Sequence, residues 1–203
     1  MYLRTFNFDN LKNYNKILIL MRHSEANHNK YIDIEVNKAI KLNLCPIKAK
    51  EKELMKQKHI NPSLSSNGII NAKKQISIIR RFINIYETII LCSPLLRTLQ
   101  TANYFINIPK KNIIQLNILL ERRTKRPCDN FTLDSIDNNK EENNEQVFKR
   151  TLCFCNYISN LKSKFTVVIT HKRFLIELAK NINIFTNYGE SYFKPGEFRV
   201  FVH

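Results

Sequence analysis

The stretch Ile17-Leu-Ile-Leu-Met-Arg22-His23 joins five apolar residues directly to two basic ones. Short, unbroken apolar runs of this kind are typical of a strand that is buried on both faces of a parallel sheet. In open α/β sheets, ligands bind at the carboxyl ends of the strands, and Arg22 and His23 stand at such an end. The stretch therefore predicts a central strand that delivers two polar side chains to a ligand site.

Apolar runs alternate with helical patterns along the rest of the chain, which predicts a three-layer α/β/α sandwich with a mostly parallel central sheet. Further strands are predicted at Glu87 to Cys92, Asn112 to Leu116 and Phe165 to Thr170, with an edge strand at Phe198 to Val202. Helices are predicted from Ser65 or Ser66 to Ile83, from Pro94 with Ser93 as N-cap, from Glu141 to Leu161, and over Phe174 to Ala179.

The composition indicates one globular domain over residues 1–203. A single α/β core can fill this length, and a hydrophobic fraction of 43% is enough to bury such a core. Residues 30–63 differ from the rest because they mix charges with scattered apolar residues and two prolines. We predict that this segment is an irregular excursion with one or two short helices, and that it serves as a lid or substrate loop.

The cysteines and the apolar runs of the sequence indicate where in the cell the protein is expected. The five cysteines are odd in number and have no C-x-x-C spacing, which argues against a disulfide framework and against a structural zinc site. No apolar run approaches the roughly 20 residues of a membrane span, and the N-terminus lacks the order of a signal peptide. We therefore expect a soluble, cytoplasmic protein with no membrane partner.

The formal net charge of +16 attracts phosphorylated ligands and polyanions alike. Much of this charge is lysine interspersed with asparagine and isoleucine, a mixture that AT-rich coding produces without selection for binding. The basic stretches also lack the interleaved aromatic residues of single-strand-binding surfaces. We expect nucleic acid to bind only through non-specific basic charge.

Four further motifs follow the first strand. Arg97 falls on the first turn of a predicted helix, and His171 directly follows a predicted strand, so both can reach the edge of the sheet that holds His23. Taken singly, Arg97 fits a surface residue, Glu121 a solvated loop carboxylate and His171 a satisfied buried histidine. The motifs are Leu64-Ser-Ser-Asn-Gly68, Ser93-Pro-Leu-Leu-Arg97-Thr-Leu-Gln-Thr-Ala102, Leu119-Leu-Glu121 and Val167-Val-Ile-Thr-His171.

Together and in this order, the strand with Arg22-His23 and the four motifs resemble the histidine phosphatase superfamily, specifically its phosphoglycerate-mutase-like branch. The resemblance spans roughly residues 16–180. It implies a phosphomonoesterase, similar to histidine acid phosphatases, that forms a phosphohistidine on His23 and needs no metal and no cofactor. The implied substrate is a phosphorylated small molecule or a phosphoprotein, and the oligomeric state stays open.

The resemblance also assigns roles to individual side chains. Arg22 and Arg97 are expected to grip the phosphoryl oxygens, since planar and permanently charged guanidinium groups suit that geometry. His171 adds a third donor, and Glu121 matches the proton donor of the superfamily. Asn29 matches a phosphate-contacting position in the first loop.

Two positions depart from the superfamily pattern. Ser24 follows the nucleophilic histidine and Lys172 follows the second histidine, where the superfamily commonly has glycine. We expect each side chain either to narrow the pocket or to add a phosphate contact. Ser65 stands where threonine is common, which conserves a capping role.

Alternative functions remain open. Arg122 and Arg123 after Glu121 resemble the mutase pattern, but the tyrosine-glycine continuation is missing and the chain is shorter than a typical mutase, so hydrolysis is preferred over isomerisation. A weakly active module that binds phosphorylated ligands is the other alternative. His23 and His28 are poorly spaced for a metal pair.

Overall fold

The computed structural model describes residue 11 and residues 14–138, 140–181 and 192–202. Five strands form one sheet in the order β3-β2-β4-β1-β5. All neighbouring pairs are parallel except β5, which runs antiparallel to β1 at the edge. The strands are β1 (Ile17–Arg22), β2 (Thr88–Cys92), β3 (Ile113–Gln115), β4 (Phe165–Thr170) and β5 (Phe198–Val202). The predicted strands are thus confirmed.

The described residues also form seven α-helices. They are α1 (Asn27–Lys41), α2 (Pro46–Leu54), α3 (Ser66–Ile79), α4 (Leu96–Ala102), α5 (Leu133–Asn138), α6 (Asn144–Ser159) and α7 (Lys172–Asn181). Of these helices, α3, α4, α6 and α7 cover the sheet. Ser65 is the N-cap of α3, as predicted, because its Oγ accepts a hydrogen bond from the Gly68 N–H at 3.0 Å.

Two apolar clusters lie on opposite faces of the sheet. Successive side chains of a strand point to opposite faces, so Ile19 and Val167 pack against α3 and α4, whereas Leu20 and Val168 pack against α6 and α7. Both faces of the central strands are therefore buried, which explains why their sequences are continuously apolar. The predicted three-layer α/β/α sandwich is confirmed.

The start of α4 corrects one prediction. The helix begins at Leu96 rather than at Pro94, and Ser93 is not its N-cap. The Ser93 N–H donates to the Ile169 carbonyl at 3.1 Å, so the backbone of Ser93 still continues the direction of β2. The Ser93 Oγ is hydrogen-bonded to His171 at 2.8 Å.

Other helix ends also shift, among them the end of α6, which lies at Ser159 rather than Leu161. Helix α3 ends at Ile79 rather than Ile83, although Ile83 still packs in the same apolar cluster as the helix. Helix α6 begins at Asn144 rather than Glu141, because Asn143 and Gln146 hydrogen-bond reciprocally and cap the helix at that point.

The excursion at 30–63 is more regular than predicted. Helix α1 alone has 15 residues, and α2 adds 9 more. Ile32 and Val36 lie one turn apart on α1 and pack with Leu54 of α2 and with Cys128. The apolar residues of this segment therefore have helical spacing, although charged residues separate them. A groove of about 440 Å³ separates the two helices and contains none of the predicted site residues. The function of the excursion as a lid or substrate loop stays a prediction.

The end of α2 is anchored by a buried carboxylate. Glu53 is 1% exposed and contacts Lys56, the Lys58 Nζ at 3.2 Å and the His59 Nε2 at 2.8 Å. Burial alone would raise the pKa of Glu53, but hydrogen bonds from Lys56, His59 and Lys58 lower it to about 2.

No helix within the described ranges is long and apolar enough to cross a membrane. All five cysteines are free thiols, with Cys45 and Cys153 exposed. The first ten residues and His203, to which the sequence assigns no role, lie outside the described residues.

We expect Glu53→Gln to lower the free energy of unfolding by about 2 kcal/mol at neutral pH, because the buried His59 loses its anionic partner. The folded pKa of Glu53 is depressed to about 2, so the contribution of its carboxylate is complete above the ordinary value of 4.5 and is lost as the pH falls from there to about 2. Urea unfolding at a series of pH values measures this dependence.

Glu145→Gln is the matched control, since Glu145 forms an exposed ion pair with Lys149 on α6. This substitution should change the stability far less. Equal losses in the two variants, or a loss in Glu53→Gln that persists below pH 2, would contradict the role given to Glu53.

Candidate active site

The sheet brings the two predicted histidines together. His23 directly follows β1 and His171 directly follows β4, and these two strands are parallel neighbours with Arg22 aligned to Thr170. The His23 N–H donates to the Thr170 carbonyl at 3.0 Å, and the centres of the two imidazole rings are 5.1 Å apart. Parallel pairing of two strands therefore juxtaposes residues that are far apart in the sequence.

The His23 ring is held in one orientation. Its Nδ1 lies 2.7 Å from the Ser24 carbonyl oxygen, which requires a proton on Nδ1, and its Nε2 accepts a hydrogen bond from the Arg97 Nε at 3.2 Å. Burial lowers the pKa of His23 well below its ordinary value, and the charges of Arg97 and Arg22 lower it further. A neutral imidazole with its lone pair on Nε2 follows from these contacts.

Arg97 is almost completely buried, at 1% exposure. Besides His23, its guanidinium donates to the Cys128 carbonyl at 2.7 Å and pairs with the Asp129 Oδ1 at 3.6 Å. The side chain comes from the first turn of α4, next to the end of β2, where the sequence predicted it. Three contacts thus fix the guanidinium beside the Nε2 of His23.

Arg22 and His171 carry polar atoms without a partner in the described part of the chain. The Nη1 of Arg22 donates to the Phe193 carbonyl at 3.0 Å and to the Tyr192 hydroxyl at 3.4 Å, whereas its buried Nε has no partner there. The Nε2 of His171 is hydrogen-bonded to Ser93, and its buried Nδ1 likewise has none there. Burial also lowers the pKa of His171, so both histidines are neutral.

A cavity of about 390 Å³ opens in front of His23. Of the predicted site residues, six line it, while His171 and Ser24 do not. His171 is fully buried and touches the His23 ring rather than the cavity. The six lining residues are Arg22, His23, Asn29, Arg97, Glu121 and Lys172.

Ser24 corrects the expectation that its side chain narrows the pocket or contacts phosphate. Its side chain is fully buried and faces Gly196, where an added Cβ would lie 2.9 Å from the Ser24 Oγ. Gly196 has φ +79°, a conformation that favours glycine. The turn at Gly196 therefore accommodates the serine on the side away from the cavity.

Glu121 lies at the N-terminus of α7. Its carboxylate accepts hydrogen bonds from the Arg122 N–H at 2.9 Å and the Arg173 N–H at 3.1 Å. Burial raises the pKa of Glu121, and the neighbouring charge of Asp129 raises it further. This carboxyl group is thus both oriented and disposed to hold a proton.

Solved structures share this arrangement of strands and helices. A phosphoserine phosphatase from Entamoeba histolytica, in complex with 3-phosphoglyceric acid, has a TM-score of 0.59 and 15% sequence identity, over 92% of this chain and 90% of that chain. A mycobacterial glucosyl-3-phosphoglycerate phosphatase has a TM-score of 0.56 and 12% identity, over 91% and 89%. The α-ribazole phosphatase from Shigella flexneri has a TM-score of 0.54 and 15% identity, over 81% and 78%.

The chain has the histidine phosphatase fold. No protein-family model matches its sequence, and no curated protein matches it either. At sequence identities this low, structural similarity establishes the fold alone. The chemistry therefore has to be argued from the cavity itself.

Within the histidine phosphatase fold, the Leu64 to Gly68 motif braces the loop after His23. The Ser65 N–H donates to the Glu25 carbonyl at 2.9 Å, and the Ser65 hydroxyl bonds the Glu25 carboxylate. A Cβ at Gly68 would lie 1.9 Å from the same Glu25 carbonyl oxygen. Glycine is therefore required where α3 meets the loop after His23.

Asn29 has local partners in this histidine phosphatase fold. Its Oδ1 accepts from the Ala26 N–H at 3.1 Å, and its Nδ2 lies 3.1 Å from the His28 Nε2. His28 itself lines the cavity and was considered in the sequence only as a metal ligand. Among the residues that the structure describes, no three His, Cys, Asp or Glu side chains group as metal ligands.

Asp129 is one of the lining residues to which the sequence analysis gave no role. It pairs with Arg97, and the Thr124 hydroxyl donates to its Oδ2 at 2.9 Å. Burial raises its pKa. The sequence around Asp129 does not indicate this role, because the loop after Glu121 meets Arg97 only in the folded chain.

Proposed function

We propose that this chain is a phosphomonoesterase of the histidine acid phosphatase-like type, which hydrolyses its substrate through a phosphohistidine on His23. The observation that carries the proposal is the fixed, neutral His23 ring, whose Nε2 meets Arg97 at the cavity. A lone pair held in place beside permanently charged groups is what in-line attack on a phosphoryl group needs.

In the first step, the Arg97 Nε–H exchanges its hydrogen bond with His23 Nε2 for one with a phosphoryl oxygen, the freed Nε2 lone pair attacks phosphorus, and the bond from phosphorus to the ester oxygen breaks. Arg97 and Arg22 stabilise the charge on the phosphoryl oxygens, a kind of contact commonly worth ~3 kcal/mol in the transition state. Glu121, in its protonated form, gives its proton to the leaving oxygen. The products are an alcohol and the phosphohistidine.

In the second step, water attacks the phosphohistidine. The Glu121 carboxylate takes a proton from that water, the phosphorus–nitrogen bond breaks, and its electron pair returns to Nε2. Inorganic phosphate leaves, and His23 and Glu121 are restored to their starting protonation states. His171, which contacts the His23 ring and does not line the cavity, positions that ring for both steps.

A phosphorylated small molecule or a phosphoprotein is the substrate class of this proposal. The similar solved structures carry names of phosphatases for phosphoserine, glucosyl-3-phosphoglycerate and α-ribazole compounds, and this variety supports phosphomonoester hydrolysis without choosing a substrate. The raised pKa of Glu121 supports activity under acidic conditions, because the proton donor stays protonated there.

His23→Ala should lower the turnover of an aryl phosphate in the presence of a chelator by at least about ten-thousand-fold, because the nucleophile is lost. Acid-labile phosphate on the protein, trapped during turnover, should disappear at the same time. Release of phenol and labelling of the protein are the two measurements.

His203→Ala is the matched control, and its turnover and labelling should equal those of the wild type. Far-ultraviolet circular dichroism of His23→Ala checks that the variant is folded. Activity that survives in a folded His23→Ala protein would refute the proposal. Phosphoryl transfer to a sugar-acid acceptor that outpaces phosphate release would instead indicate a mutase.

The pH dependence tests the carboxylate pair. Glu121 must be protonated for the first step, so kcat/KM should fall as the pH rises through its elevated pKa. Asp129→Asn removes a neighbouring negative charge, which lowers the pKa of Glu121 and should move this upper limb to lower pH. The pH profiles of kcat/KM are measured for both proteins with the same substrate, so that the titration of the substrate affects them equally. If the decline of kcat/KM at high pH stays in place or moves to higher pH in Asp129→Asn, this assignment is contradicted.

A further inference from the structure

One wall of the cavity is formed by the start of α7 and by Tyr192, and it contains a cation–π contact. Lys172, the first residue of α7, lines the cavity with its Nζ 4.3 Å from the centre of the Tyr192 ring. The guanidinium carbon of Arg22 lies 5.9 Å from the centre of the same ring. Tyr192 thus lies between the proposed phosphoryl site and the lysine.

A second lysine faces this wall from the excursion. Lys50, on α2, lines the same cavity and is close enough to Lys172 for the two charges to interact. Burial lowers the pKa of Lys172; Tyr192 opposes this, whereas Arg22, Arg173 and Lys50 lower the pKa further. The ammonium group of Lys172 therefore lies in a region of positive potential.

Carboxylates engage other cations of the cavity but not these two. Arg97 pairs with Asp129, and Arg126 pairs with Glu51 at 3.0 Å. Among the ion pairs of the described residues, none includes Lys172 or Lys50; the charge of Lys50 is felt by the Asp33 carboxylate from beyond ion-pair distance. Lys172 is partly buried, whereas Lys50 is exposed. Two neighbouring cations without acidic partners cost free energy, and an anion between them would offset that cost.

We propose that Lys172 and Lys50 form a second anion-binding subsite, so that the substrate carries a carboxylate or phosphate group in addition to the phosphoryl group that reacts. Tyr192 supplies the apolar surface between the two anionic groups. The proposal rests on the proposed phosphatase function and restricts it to doubly anionic substrates. Lys172 is suited to define this subsite, since its position commonly holds glycine in the superfamily that the sequence resembles.

A series of matched substrates tests the subsite. Carboxyalkyl phosphates and alkanediol bisphosphates of increasing length are compared with n-alkyl phosphates of the same length, which lack the second charge. We expect the wild-type kcat/KM for the best doubly anionic compound to exceed that of its alkyl counterpart by at least about tenfold, as for a hydrogen bond to a charged group. The better of the two anionic series identifies the second group as carboxylate or phosphate.

Lys172→Met and Lys50→Met should each reduce this ratio several-fold. Lys74→Met, an exposed lysine on α3, is the matched control and should leave the ratio unchanged. The ratio compares two substrates on one protein, so a partial loss of folded enzyme cancels. A wild-type ratio near one at every length, or ratios that persist in both Lys172→Met and Lys50→Met, would overturn the subsite.

The same assays separate this proposal from the proposed function. Hydrolysis of n-alkyl phosphates that depends on His23, combined with no preference for a second anion, overturns the subsite alone. Hydrolysis that persists in His23→Ala overturns the phosphohistidine mechanism instead.

Discussion

A buried arginine N–H aimed at an imidazole lone pair is the contact on which the site depends. The Arg97 Nε–H can donate to the His23 Nε2 at 3.2 Å because the proton of the ring is on Nδ1, where it donates a hydrogen bond to the Ser24 carbonyl. A protonated His23 would remove the acceptor and place two cations in contact in a buried setting. The depressed pKa of His23 is therefore a structural requirement, whatever chemistry the site performs.

The strands were predictable because the central ones are buried on both faces. Such strands contain little but apolar residues, so β4 has the predicted limits and β1 extends only one residue further, to Arg22. The edge strand β5 also has its predicted limits. The excursion at 30–63 was harder, because α1 lies at the surface and buries only a narrow stripe that includes Ile32 and Ala39. The start of α4 was missed for another reason: the Ser93 hydroxyl is bound to His171, a partner that no local pattern reveals.

The site residues likewise differ in how far local sequence patterns predict them. His23 and Arg97 were predictable since strand ends and helix starts converge at one edge of a parallel sheet. The side chain of Ser24 was wrongly placed because a turn at Gly196, far away in sequence, decides which way it points. The role of Asp129 could not be predicted from the sequence, because it depends on an ion pair with the Arg97 guanidinium. The same guanidinium also donates to the neighbouring Cys128 carbonyl. Chemistry that lies in one motif can be read locally, whereas an ion pair between a helix and a loop cannot.

The attachment of Arg22 has a consequence for synthesis of the protein. Its guanidinium is held by Tyr192 and Phe193, at sequence separations of 170 and 171 residues, and its backbone N–H is held by Glu197. On the ribosome, β1 therefore emerges long before the residues that orient its arginine. A nascent chain can bury β1 against β4 once residue 170 is available, yet the side chain of Arg22 has its partners only when residues 192–197 follow. The geometry at the end of β1 should thus be completed late, after most of the sheet has already formed.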